Sequence, residues 1–94
     1  MGVLKTWEIK IGEKGYTVVL EMFNTWFKVE INGVHVTEGY FLGSDWEVRL
    51  PFRFNGHRGE VIMFDRGWIN DGRPRKYGLV IDGHTYADER AGQK

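Results

Sequence analysis

The chain holds three histidines (35, 57 and 84), one serine (Ser44) and no cysteine, so nucleophilic or metal chemistry would rest on few groups. Without cysteine there is no disulfide, no thiolate metal ligand and no thiol nucleophile. His35 and His84 follow the dipeptides Asn32-Gly33 and Asp82-Gly83. A repeated hairpin accounts for both, and the ligand number zinc requires is not assembled by them, so no metal site is expected. His57 lies beside Arg58 in a glycine-rich turn, with no serine placed to use it as a base. Glu8, Glu21, Glu30 and Glu47 alternate with apolar residues and therefore face water, where a general acid/base pair would lack the desolvated pocket it needs. Gly12, Gly15, Gly33, Gly56, Gly59, Gly67, Gly72 and Gly83 punctuate turns, and none opens a helix in the manner of a phosphate-binding loop. No catalytic residue and no cofactor is expected.

What exceeds the needs of a fold is the stretch from Asp65 to Lys76, which is long for a hairpin connection. It places Trp68 and Ile69 among Arg66, Arg73, Arg75 and Lys76, and tryptophan and arginine are enriched at binding hot spots. These six residues form a candidate partner site; the competing reading has Trp68 fold back as a cap on the core, with the cations keeping the loop wet. Trp26 shares an outward register with Lys28 and Glu30 and marks a second contact surface unless Tyr40 or Phe41 covers it. The same Trp68 cluster could stack a nucleic-acid base, but a formal net charge of zero argues against a polyanion partner.

The elements that must position these residues are strands. Trp7, Ile9 and Ile11 alternate with Glu8 and Lys10, and Tyr16, Val18, Leu20 and Met22 resume the alternation after the Gly12–Gly15 turn. Phe27, Val29 and Ile31 lead into Asn32-Gly33, the pair preferred where a two-residue turn needs φ > 0 twice, and a short strand follows over 34–37. Residues 38–45, carrying Tyr40, Phe41 and Leu42, read as a lid or connector. A fifth strand spans 46–54, with Pro51 in its outward register predicting a sheet edge or a bulge. Strands over 60–65, 76–81 and 84–87 complete the set, with the loop Arg66–Arg75 and the Asp82-Gly83 turn between them, and 88–94 is expected to fray.

Thr6-Trp7-Glu8-Ile9 matches Asp45-Trp46-Glu47-Val48, and Val29–His35 matches Leu79–His84, an internal repeat of about 40 residues. Two four-stranded halves, each with one apolar face, predict an all-β antiparallel sandwich of about eight strands, with a closed barrel as the alternative. At 94 residues this is one domain over 1–94, with its core in 5–87. The amino terminus lacks a signal-peptide apolar region, and no apolar run approaches the roughly 20 residues of a membrane helix. A soluble, cytoplasmic protein is expected. Residues 1–47 carry four cations against seven anions and residues 48–94 nine against six, an asymmetry that would permit steering of a partner or head-to-tail self-association.

Thr6-Trp7, the Gly12 turn, Tyr16 to Glu21, Asn32-Gly33 and Leu79-Val80-Ile81-Asp82 together resemble the carboxy-terminal domain of the Fas apoptotic inhibitory molecule family, in order and spacing over residues 5–87. The resemblance implies a non-catalytic, cytosolic, all-β module that binds protein, linked to protection from death-receptor killing and to handling of stress-damaged aggregates. Within residues 1–94 no counterpart of the family's amino-terminal domain is expected, and the loop around Trp68 is longer and arginine-rich. A small-ligand or carbohydrate-binding sandwich is the alternative function.

Overall fold

A computed structural model of the chain describes residues 2–23, 26–40, 47–66 and 74–89, the side chains of 65, 66, 74 and 75 excepted. Contacts divide the chain into two compact units, Met1–Phe41 and Leu42–Lys94, which coincide with the halves of the repeat. The first holds β1 (Gly2–Ile11), β2 (Lys14–Phe23), β3 (Trp26–Ile31) and β4 (Val34–Tyr40); the second holds β5 (Glu47–Phe54), β6 (His57–Arg66), β7 (Pro74–Ile81) and β8 (His84–Asp88). Each set forms a four-stranded antiparallel sheet in chain order, β1-β2-β3-β4 and β5-β6-β7-β8. The all-β class and the two similar four-stranded halves are as the sequence predicts, and no helix occurs among the described residues.

Turn chemistry fixes the registers. Asn32-Gly33, Asn55-Gly56 and Asp82-Gly83 have φ > 0 at both residues, the backbone of a type I′ turn, whereas the Gly12-Glu13 turn has φ > 0 at the glycine alone. In both sheets the last turn is tied back to the neighbouring hairpin. The Thr17 amide donates to Asn32 Oδ1 at 2.9 Å, and the Arg58 amide donates to Asp82 Oδ1 at 3.1 Å. The amides of Asn32 and Asp82 donate in return to the carbonyls of Thr17 and Arg58.

One face of each sheet is buried. Val18, Leu20, Phe27, Val29 and Ile31 line it in the first unit, and Leu50, Phe52, Val61, Met63, Leu79 and Ile81 in the second. In β6 the run Val61–Phe64 is buried on both faces, its outward residues Ile62 and Phe64 nearly as fully as its inward ones. Gly78 pairs with Ile62 and lies under Phe64, whose ring a methyl at Gly78 would meet at 3.4 Å. Gly59 is tighter still: a methyl there would meet the Phe52 ring and the Val80 carbonyl oxygen at 2.7 Å.

Four expectations are corrected. Residues 38–40 are not a lid or connector: they extend β4, with Glu38, Gly39 and Tyr40 opposite Lys28, Phe27 and Trp26. The alternation is masked by a bulge, because Glu30 pairs with His35 and Val29 with Thr37, leaving Val36 as the extra residue. The loop over 66–75 is shorter than expected, since Arg66 pairs with Pro74 and the connection runs over 67–73. The repeat also aligns differently in space. Counted from the rungs, Val18 corresponds to Gly59 and its partner Trp7 to Phe52, not to Trp46. The β1–β2 hairpin simply extends further beyond that rung, so the similarity of two Trp-Glu pairs crosses the register. Likewise His84 occupies the place of Val34 opposite an isoleucine, and His35 lies one residue further along.

Candidate functional site

Of the sequence-derived site residues, Trp68, Ile69 and Arg73 lie outside the described residues, as do Phe41 and Trp46. Arg66 and Arg75 are placed by their backbones in β6 and β7. Lys76, half-buried, stands on β7 opposite Phe64. Trp26 is the residue around which the structure assembles something.

Trp26 opens β3 directly opposite Phe23 of β2 on one side and Tyr40 of β4 on the other, so three aromatics form one row across three strands. The Phe23 and Trp26 rings stack with centroids 4.9 Å apart and planes 22° from parallel. Tyr40 leans against Trp26 at 6.5 Å and 40°. Trp26 is therefore partly covered by Tyr40, as the sequence allowed, while Tyr40 itself remains 61% exposed. Phe23 was missed in the sequence because it follows the last residue of an alternating run and precedes Asn24-Thr25; only the rung pairing brings it beside Trp26.

The next row is charged: Glu21, Lys28 and Glu38 stand opposite one another. Lys28 Nζ lies 3.1 Å from Glu30 and 3.5 Å from Glu21, and sits over the Phe23 ring at 5.1 Å. The hydrogen bond to Glu30 is the main reason its ammonium is held above its ordinary pKa, with the charges of Glu30 and Glu21 adding and partial desolvation opposing. The stacked Phe23 and Trp26 rings each turn a face to the other, with Lys28 over Phe23 and Tyr40 against Trp26. That geometry suits contact with apolar side chains and a hydrogen bond at the Tyr40 hydroxyl better than the flat ring platform on which a sugar stacks.

The second unit neutralises one of its cations in a similar way. Arg49 Nε donates to Glu47 at 2.6 Å and its Nη1 to Glu60 at 2.8 Å. These bonds, that to Glu47 foremost, hold the guanidinium pKa above its ordinary value. At the far end of the same sheet His57 Nδ1 lies 2.6 Å from Asp82 Oδ2. This contact, reinforced by the Arg58 amide, holds the Asp82 carboxyl below its ordinary value. His35 lies 3.4 Å from Glu38, and the ring of His84 meets Tyr86 edge-on at 4.4 Å. Among the described residues no three His, Asp or Glu converge on a metal-sized site, and no polar or charged side chain is buried.

All four edge strands are blunted. β1 carries an extra residue, Leu4, between its Val3 and Lys5 rungs; β4 carries Val36 and β8 carries Tyr86 at matching bulges. β5 carries Pro51 instead, exposed and unbulged opposite Glu60, as expected for an edge. Bulges and proline are the devices that discourage a sheet edge from recruiting another strand.

The fold defines an all-β chain of two four-stranded sheets with an aromatic row on the outward face of the first. No protein-family model, curated protein or solved structure matches it. The likeness to the Fas apoptotic inhibitory molecule family therefore rests on the strand and turn residues quoted above.

Proposed function

We propose that the chain is a non-catalytic protein-interaction domain that engages its partner through the outward face of the first sheet. The observation that carries this is the row Phe23, Trp26 and Tyr40, an aromatic cluster bordered by the Glu21, Lys28 and Glu38 row. Large aromatics ringed by polar groups are the composition of interface hot spots. The blunted edges favour docking on the face over strand addition. The partner presents apolar side chains to the aromatic row and acceptors or donors to Tyr40 and Lys28. The family resemblance extends the proposal to control of cell death or handling of stress-damaged protein.

Tyr40→Ser tests this, because an exposed side chain can be removed with the sheet intact. Heat-stressed client protein is held with the wild-type chain or the variant, and aggregation is followed by light scattering with cross-linking at the row. Suppression and cross-links by the wild type that are lost in Tyr40→Ser, at unchanged circular dichroism, are expected. Equal suppression by both chains, or none by either, overturns the proposal.

A further inference from the structure

On the outward face of the second sheet, Arg53 of β5 and Arg58 of β6 stand directly opposite one another. Like charges in that position destabilise a strand pair, so the fold gains nothing from them. Two other outward cations are matched by carboxylates: Lys28 by Glu21 and Glu30, Arg49 by Glu47 and Glu60. Among the described residues no carboxylate lies within ion-pairing distance of Arg53 or Arg58. Asp82 turns one oxygen to His57 and accepts the Arg58 amide at the other, so it acts on the Arg58 charge through space and not through a direct ion pair.

Both arginines line two open, adjoining recesses at this hairpin. One, of about 370 Å³, is formed with Phe54, Asn55, Gly56 and His57; the other, of about 290 Å³, with Pro51, Phe52 and Gly59. Two exposed guanidiniums on adjacent strands, lining an open recess and without a direct ion pair among the described residues, suit a doubly charged oxyanion. Each guanidinium can offer paired N–H donors to its oxygens. Rigid strands and the type I′ turn at Asn55-Gly56 set their spacing in advance.

We propose that Arg53 and Arg58 form a binding site for a phosphomonoester dianion. The site lies in the other unit from the aromatic row and does not depend on its role. Two cations match a dianion and are in excess for a phosphodiester, so the site discriminates monoesters from the singly charged diesters of nucleic-acid and lipid backbones.

The test is a ¹⁵N-resolved NMR titration of the full chain with inorganic phosphate, phosphoserine and dimethyl phosphate. It runs at a pH of about 8, where a monoester with a second pKa near 6 is dianionic, with chloride matching ionic strength throughout. Saturable shifts of the amides around residues 53–59 are expected with phosphate and phosphoserine, with binding of dimethyl phosphate about tenfold weaker. Arg53→Gln and Arg58→Gln should each weaken binding by about tenfold, one charge-assisted contact's worth. Their thermal midpoints should be equal to or above that of the wild type, because the repulsion is relieved. Shifts that follow chloride equally, a diester bound as tightly as the monoester, or binding unaltered in the double variant each overturn the proposal.

Discussion

At the scale of single residues, Asp82 does for the second sheet what Asn32 does for the first: from a φ > 0 position it accepts a hydrogen bond from an amide of the adjoining hairpin. Only Asp82 can lose a charge in doing so. Its carboxyl is held below its ordinary 3.8, chiefly by His57 and then by the Arg58 amide. A folded pKa below the unfolded one contributes stability that is fully present above the unfolded value and lost as pH falls through the folded value. Asp82→Asn should keep the turn and the amide bond, as the natural Asn32 shows, and abolish that acid dependence. Thermal midpoints followed from a pH of about 5 to about 3 should fall more steeply in the wild type than in the variant. Parallel curves would show that Asp82 does not link folding to pH. Gly59 is a steric counterpart. Its missing methyl makes room for the Phe52 ring and the Val80 carbonyl, both at 2.7 Å from where that methyl would sit. Overpacking of this kind costs about 1–3 kcal/mol, so Gly59→Ala should lower the urea midpoint accordingly. An unchanged midpoint would mean the Phe52 ring gives way freely.

At the scale of strands, the edges repay comparison with the interior. The bulges on β4 and β8 fall at matching rungs, beside Val29/Glu30 and Leu79/Val80, and each bends an outer strand away from its ladder. β5 has no bulge and relies on Pro51, which removes an N–H from the free edge. Pro51→Val restores that donor on a flat strand, and its oligomer fraction in sedimentation at high concentration should rise above that of the wild type. A variant as monodisperse as the wild type would show that the proline does not guard this edge. The strand centres and turns were legible because alternation and Asn-Gly or Asp-Gly pairs are local signals. The ends of β1, β4 and β7 were not, since a bulge inverts the alternation at Leu4 and Val36 and the β7 start is decided by the pairing of Pro74 with Arg66.

At the scale of the molecule, the sequence repeat and the spatial repeat agree through β3 and β7 and the tight turns after them, the histidines excepted, and part company in the first hairpins. A Trp-Glu pair is a compositional likeness, whereas register is counted from the turn, and Trp7 therefore answers to Phe52. The same limit governed the sites. Trp26 was visible as an outward residue, but its stack on Phe23 exists only across rungs; the opposition of Arg53 to Arg58 follows from the Asn55-Gly56 turn once the register is counted from it. Charge is segregated in chain order too, with all the arginines in the second half, so the unmatched guanidiniums lie in the unit that is already the more cationic.

In both sheets every strand pairs only with its neighbours in the chain. Except across 67–73, the paired strands are joined by two residues, so loop-closure entropy is small, and hairpins close in about 1–10 μs. Translation adds about 5–20 residues per second, far more slowly than that. Synthesis thus delivers β1 to β4 in full before the first residue of β5, and each strand of the first sheet meets its partner as soon as both are free of the ribosome. The meander makes the order of synthesis also the order of assembly.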